Sequence, residues 1–207
     1  MALPLTTTSA PQPAISAALA MVTPPSTPTM TGRPASAARV SSVSGQAALD
    51  AQLAEARIAT AKYVDNLALA RKDGYQIITK MIPTMGYHYM NPNVKGFDIR
   101  KPPILVYEHQ GSAWTLGAIE WVFTAKPAKP PLPGATYGAF GAGCHYKDGT
   151  FYPATAQSKC PAKAPGTGAA FNFWHPNLVT MHVWLWYPNP TGLFASTNPL
   201  VTPFNAG

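Results

Sequence analysis

Proline occupies 23 of the 207 positions, about twice ordinary usage, and few architectures tolerate that. Each proline lacks the backbone N–H that helix interiors and central strands use. Helical bundles and coiled coils are excluded, the more so because Phe, Trp and Tyr make up 11% of the chain. The chain is 46% hydrophobic and only 11% charged, so it is not a disordered protein as a whole. No stretch of about 18 uninterrupted apolar residues occurs, which argues against a membrane span. The length suits a single domain with a real core.

The net charge is +7, from 15 Lys and Arg against 8 Asp and Glu, and it is spread thinly. Nucleic-acid binding needs basic residues clustered on one face or in a run. No local group exceeds a pair such as Arg100-Lys101, so no nucleic-acid partner is expected. Cys144 and Cys160 bracket a segment that includes Gly149, Pro153, Ser158, Lys147 and Lys159 and has little to hold it unless it is tied. A disulfide between them would tie a loop of about 15 residues and contribute roughly 3 kcal/mol; the alternative is two unrelated buried thiols. The disulfide would imply an oxidising compartment, so the expected location is secreted or periplasmic. The first basic residue is Arg33, so a positive region before the weakly apolar Ala14–Val22 stretch is missing, although Pro34-Ala35-Ser36-Ala37 resembles a small-residue cleavage site.

Residues 1–43 are rich in Ala, Pro, Ser and Thr and hold seven prolines; this composition reads as a disordered leader. Residues 44–207 read as one domain, helical over 44–82 and β-rich over 85–207. Leu49, Leu53, Ala56, Thr60, Tyr63, Leu67 and Ala70 form a single stripe that predicts an amphipathic helix over 44–72. Ser44 would cap its start and Gly74 would end it. Residues 104–123 read as a hairpin turning at Gln110-Gly111-Ser112-Ala113. Asp148-Gly149 between two aromatic pairs is a tight-turn signal. Gly138–Gly143 reads as a flexible turn, and Met181–Tyr187 as a strand buried on both faces. Five or six strands after one helix, without βαβ alternation, predict an α+β fold: an N-terminal helix, then an antiparallel β barrel or sandwich.

All five histidines lie in the β part, and only three carboxylates follow residue 101: Glu108, Glu120 and Asp148. Asp148 belongs to a turn. Glu108 and Glu120 sit inside strongly apolar strands, where a carboxylate faces solvent or needs a partner. His88 and His182 sit in similarly aromatic surroundings. Imidazoles and carboxylates on strands are the ingredients of a metal centre with an open position. The ligand candidates, in order, are His88, His182, Glu108, His175, His145 and Glu120. Two histidines and a carboxylate suit iron or zinc, and three or more histidines also suit copper. The competing readings are that each histidine is a satisfied core residue and that Glu108 faces solvent. Glu108 and Glu120 are also weighed as a glycosidase pair. The leading expectation is an exported protein with a mononuclear His/carboxylate centre of the kind found in oxidative or hydrolytic metalloenzymes, acting on a small molecule or a polysaccharide. The alternative is a non-catalytic polysaccharide- or surface-binding module using exposed aromatics among Trp114, Trp121, Trp174, Trp184 and Trp186.

The phrases Gly86-Tyr87-His88-Tyr89-Met90-Asn91-Pro92, Cys144-His145-Tyr146-Lys147-Asp148-Gly149-Thr150-Phe151 and His182-Val183-Trp184-Leu185-Trp186-Tyr187-Pro188-Asn189-Pro190 resemble segments of uncharacterised exported bacterial proteins over roughly residues 55–204. The resemblance brings no activity with it. The His-plus-carboxylate content is also similar in kind to small metal-binding barrels of the cupin type. That is an analogy of architecture alone, since the compact His-x-His motif of such barrels is missing here.

Overall fold

The computed structural model describes the backbone of residues 35–201 and the side chains of residues 43–201. The leader expected over residues 1–43 lies outside the described residues except for its last stretch, which is already helical. Helix α1 runs Ala35–Thr60, so Ser44 lies within it rather than capping it. The helix expected over 44–72 is also interrupted. After Thr60 the chain tightens into a 3-10 turn, Ala61–Tyr63, and restarts as α2, Leu67–Lys72. Asn66 caps α2, its side chain accepting from Leu69 N at 2.9 Å. The interruption frees carbonyl oxygens that the sheet then uses. Tyr107 donates its hydroxyl to Tyr63 O at 2.8 Å, and Leu116 N donates to Val64 O at 2.7 Å. The apolar stripe survives the break: Leu49, Leu53, Ala56, Thr60, Tyr63, Leu67 and Ala70 are all buried.

Nine strands follow among the described residues: β1 Gln76–Ile82, β2 Gly86–Met90, β3 Ile104–Gln110, β4 Ala113–Phe123, β5 Gly138–Phe140, β6 Gly143–Tyr146, β7 Phe151–Pro153, β8 Phe171–His175 and β9 Leu178–Val183. Residues 76–82 are therefore strand, where sequence reading extends the helical part to 82. Gly138–Phe140 is an edge strand rather than a flexible turn. The strand expected over 181–187 ends at Val183, because the backbone beyond it bonds elsewhere. Trp184 N donates to Leu193 O at 2.9 Å, and Trp186 N donates to Gly117 O at 3.0 Å.

Six strands form an antiparallel sheet in the order β1-β2-β3-β4-β9-β5, curled into a half-barrel, and three more form a small sheet in the order β7-β6-β8. The fold is thus α+β, as the sequence predicts. The large sheet buries both faces. One face carries Leu105, Tyr107, Ile119, Trp121, Met181 and Val183, which pack with the helical stripe into the main core. The opposite face carries Ile104, Val106 and Ala118, in a second cluster with Ile78 and Trp184. Strict alternation would put Leu116 on that second face. A bulge between the pairs Val106↔Ala118 and Tyr107↔Leu116 leaves Gly117 as an extra residue and returns Leu116 to the helix side.

The small sheet docks on β1. Lys80 N donates to Gly149 O at 2.7 Å, and the Lys80 ammonium lies 3.0 Å from Asp148. Cys144 and Cys160 are joined by a disulfide, which ties the loop after β7 back to β6. Between the two sheets lies a cavity of about 390 Å³.

Gly86 marks a close approach on which this face depends. Its φ is +108°, and a β-carbon there would lie 2.6 Å from Tyr107 O and 2.7 Å from Glu108 Oε1. Gly111 also has positive φ, +59°, but nothing within 4 Å of that position. Gly86→Ala should therefore cost roughly 2–3 kcal/mol and Gly111→Ala only about 1 kcal/mol, read from urea unfolding. Equal costs would contradict this packing.

Candidate metal centre

Three side chains converge on the cavity face of the large sheet. His88 comes from β2, Glu120 from β4 and His182 from β9. Glu120 pairs with His182 across β4 and β9, and with Ile104 across β3 and β4. His88 pairs with Val106, one strand away from β4. Residues two strands apart are about 9–10 Å from each other in a flat sheet. Here the sheet curls, and the long side chains of His88 and Glu120 meet over β3. His88 Nε2 lies 3.6 Å from Glu120 Oε2, and His182 Nε2 lies 3.5 Å from Glu120 Oε1. One ligand atom from each of the three residues lies within 4.8 Å of the others. The two imidazole rings stand nearly perpendicular, at 83°, with centroids 5.9 Å apart.

These distances are informative. A hydrogen bond between such groups would close to about 2.7–3.0 Å. Two ligands bound at about 2.0–2.1 Å to one tetrahedral ion are roughly 3.4 Å apart. The observed spacings match shared coordination better than direct bonding. Both nitrogens of His182 are buried without a hydrogen-bond partner among the described residues, a cost of about 1–3 kcal/mol for each such group. His88 is better supported, because its Nδ1 lies 2.8 Å from the Thr79 hydroxyl. If that nitrogen donates to Thr79, Nε2 is left bare to face Glu120. Thr79 thereby orients the imidazole, as partners behind metal-ligating histidines do.

Burial governs the electrostatics. It pushes His88 down to about 3, helped by the proximity of His182 and partly offset by the Gly86 carbonyl. It pushes His182 down to about 4 and Glu120 up to about 8. Each shift favours the uncharged form, because none of the three has a strong compensating charge. A divalent cation would reverse this balance: it accepts the imidazole lone pairs and stabilises the carboxylate, releasing the Glu120 proton on binding. Two histidines and one carboxylate are a donor set for zinc or non-haem iron. His88 and Glu120 line the cavity, so this set has an open side.

The other sequence candidates lie elsewhere. Glu108, ranked ahead of Glu120 from sequence, is not in the group. It pairs with Thr115, further along β3 than Val106, and neither of its oxygens has a hydrogen-bond partner among the described residues. It is nevertheless buried, not solvent-facing, and burial pushes its carboxyl up to about 8. His145 on β6 and His175 on β8 also lie outside the group but line the same cavity from the small sheet. His109 stacks on Trp114 with ring centroids 4.1 Å apart. None of the five tryptophans is exposed; each is buried or half-buried. Thr79 was not singled out from sequence, and only its pairing with His88 across β1 and β2 reveals it. No protein family, curated protein or solved structure was found to match the chain.

Glu108 makes a clear pH signature. Unfolded, it ionises near 4.5; folded, it holds its proton up to about 8. Between those values the folded state binds the extra proton, so its contribution to stability is present at pH 4 and lost as pH rises towards 8. Glu108→Gln removes that loss. In urea unfolding with chelator present, the variant should match the wild type near pH 5 and exceed it by roughly 2–3 kcal/mol at pH 8. Parallel curves would contradict the buried, unpaired carboxyl.

Proposed function

We propose that the chain is an exported protein, secreted or periplasmic, that holds one transition-metal ion at His88, Glu120 and His182 and presents it to a small molecule in the adjoining cavity. The observation that carries this reading is the convergence of the three ligand atoms, with Glu120 at 3.5 and 3.6 Å from the two imidazoles. Export is supported by the Cys144–Cys160 disulfide. Among the described residues no helix is long and apolar enough to cross a membrane.

Zinc and iron fit the donor set better than copper, because a carboxylate takes the place of a third imidazole. An ion here supplies Lewis-acid or redox chemistry on a group brought to its open side. The chain's own residues do the rest. Glu120 brings the negative charge, Thr79 holds the His88 ring, and the apolar walls exclude water. A small-molecule substrate is favoured over a polysaccharide, since the cavity is lined by Ile78, Ile82, Met85, Phe140, Phe173 and Leu178 and none of the tryptophans is fully exposed.

The test uses the full chain without a His tag, equilibrated separately with Zn(II) and Fe(II) and dialysed before elemental analysis. About one ion per chain is expected for the wild type and for Glu108→Gln, and less than about 0.2 for Glu120→Gln and His182→Leu. Failure of the wild type to retain either ion would overturn the proposal, as would unchanged retention in both ligand variants.

A further inference from the structure

The small-sheet wall of the cavity holds two histidines that the metal-binding group does not use. His145 Nδ1 lies 2.6 Å from Ile78 O, and His175 Nδ1 lies 2.6 Å from Pro176 O. A carbonyl oxygen only accepts, so in both rings Nδ1 carries the proton and donates it. In a neutral ring, Nε2 is then a bare acceptor. Burial keeps both rings neutral, pushing His145 down to about 4 and His175 below the usual imidazole range. The rings lie side by side, with centroids 4.9 Å apart and planes 36° from parallel. His175 is only 8% exposed, and its Nε2 is buried with no partner among the described residues.

The rest of the lining is mostly apolar, and among the described residues Glu120 is its only carboxylate. An ionic ligand would lose its hydration without gaining a compensating charge on this wall. A ligand offering only acceptors would leave the imidazole acceptors unmatched. A ligand with an O–H donor satisfies them. The cavity, at about 390 Å³, lies within the range of small-molecule sites.

We infer that His145 and His175 form a donor-reading subsite: the cavity takes an uncharged, mainly apolar molecule bearing a hydroxyl, which donates its hydrogen bond to Nε2 of this pair. As the substrate class of the metal centre, this rests on the function proposed above. As a binding subsite it needs no ion, so it is measured on chelator-treated protein.

The probes are 4-propylphenol, its methyl ether and propylbenzene, titrated calorimetrically into the full chain. The phenol should bind at least about tenfold more tightly than either analogue lacking the donor. In His175→Leu that preference should fall to about twofold or less, with the melting temperature checking that the variant is folded. The wild-type comparison of phenol with ether needs no variant. Equal affinities there, no measurable binding of any probe, or an undiminished preference in folded His175→Leu would overturn the subsite. Zinc retained by Glu120→Gln and lost when His175→Leu is added would also overturn it, since the nitrogens would then be metal ligands. Failure of metal loading with the phenol preference intact would contradict the metal centre alone.

Discussion

The contact among Glu120, His88 and His182 sets the terms for the rest of the molecule. It places a carboxyl and two imidazoles inside a mostly apolar sheet, at spacings too long for hydrogen bonds and suited to a common ion. Such a group survives only where solvent is excluded and the backbone is over-determined. The large sheet meets that demand by burying both faces. On one side the broken helix lays its stripe over Leu105, Ile119, Trp121 and Met181. On the other, the small sheet clamps onto β1 through Gly149 and Asp148 and forms one wall of the cavity. The Cys144–Cys160 disulfide holds that small sheet to its following loop, so it contributes indirectly to the cavity wall.

Scarcity of charge gives each acid of the β region a distinct place. Asp148 accepts from Thr150 N at 2.9 Å and faces Lys80, fixing the turn that grips β1. Glu120 lies at the centre of the candidate ligand set. Glu108 lies buried against Gly86, where a β-carbon would come within 2.7 Å of its Oε1, and in ordinary contact with Gly117. The sheet thus contains two carboxyls raised by burial, of which only one has imidazoles within reach.

Much of this was legible in the residues. The stripe from Leu49 to Ala70, the hairpin over 104–123, the turn at Asp148-Gly149 and the pairing of the two cysteines are all local signals, and the structure contains each of them. His88 and His182 stood out because imidazoles in aromatic strands are unusual. The choice between Glu108 and Glu120 was not legible, because both fall on the same face of a hairpin whose register depends on one extra residue, Gly117. Only the pairing Glu120↔His182 separates them. The break after Thr60 was hidden for a related reason: the apolar stripe continues through it, and the compensating bonds come from Tyr107 and Leu116, far along the chain. β5 and β8 are three and five residues long and owe their pairing to β9 and β6 rather than to their own patterning.

The most direct test of the central claim is a crystal structure of the zinc-loaded chain with anomalous data at the zinc edge. The account predicts one anomalous peak about 2.0–2.2 Å from Nε2 of His88, Nε2 of His182 and a carboxylate oxygen of Glu120, on the cavity side of β4. A peak held by other residues, or no peak within this group at full zinc occupancy elsewhere, would contradict it.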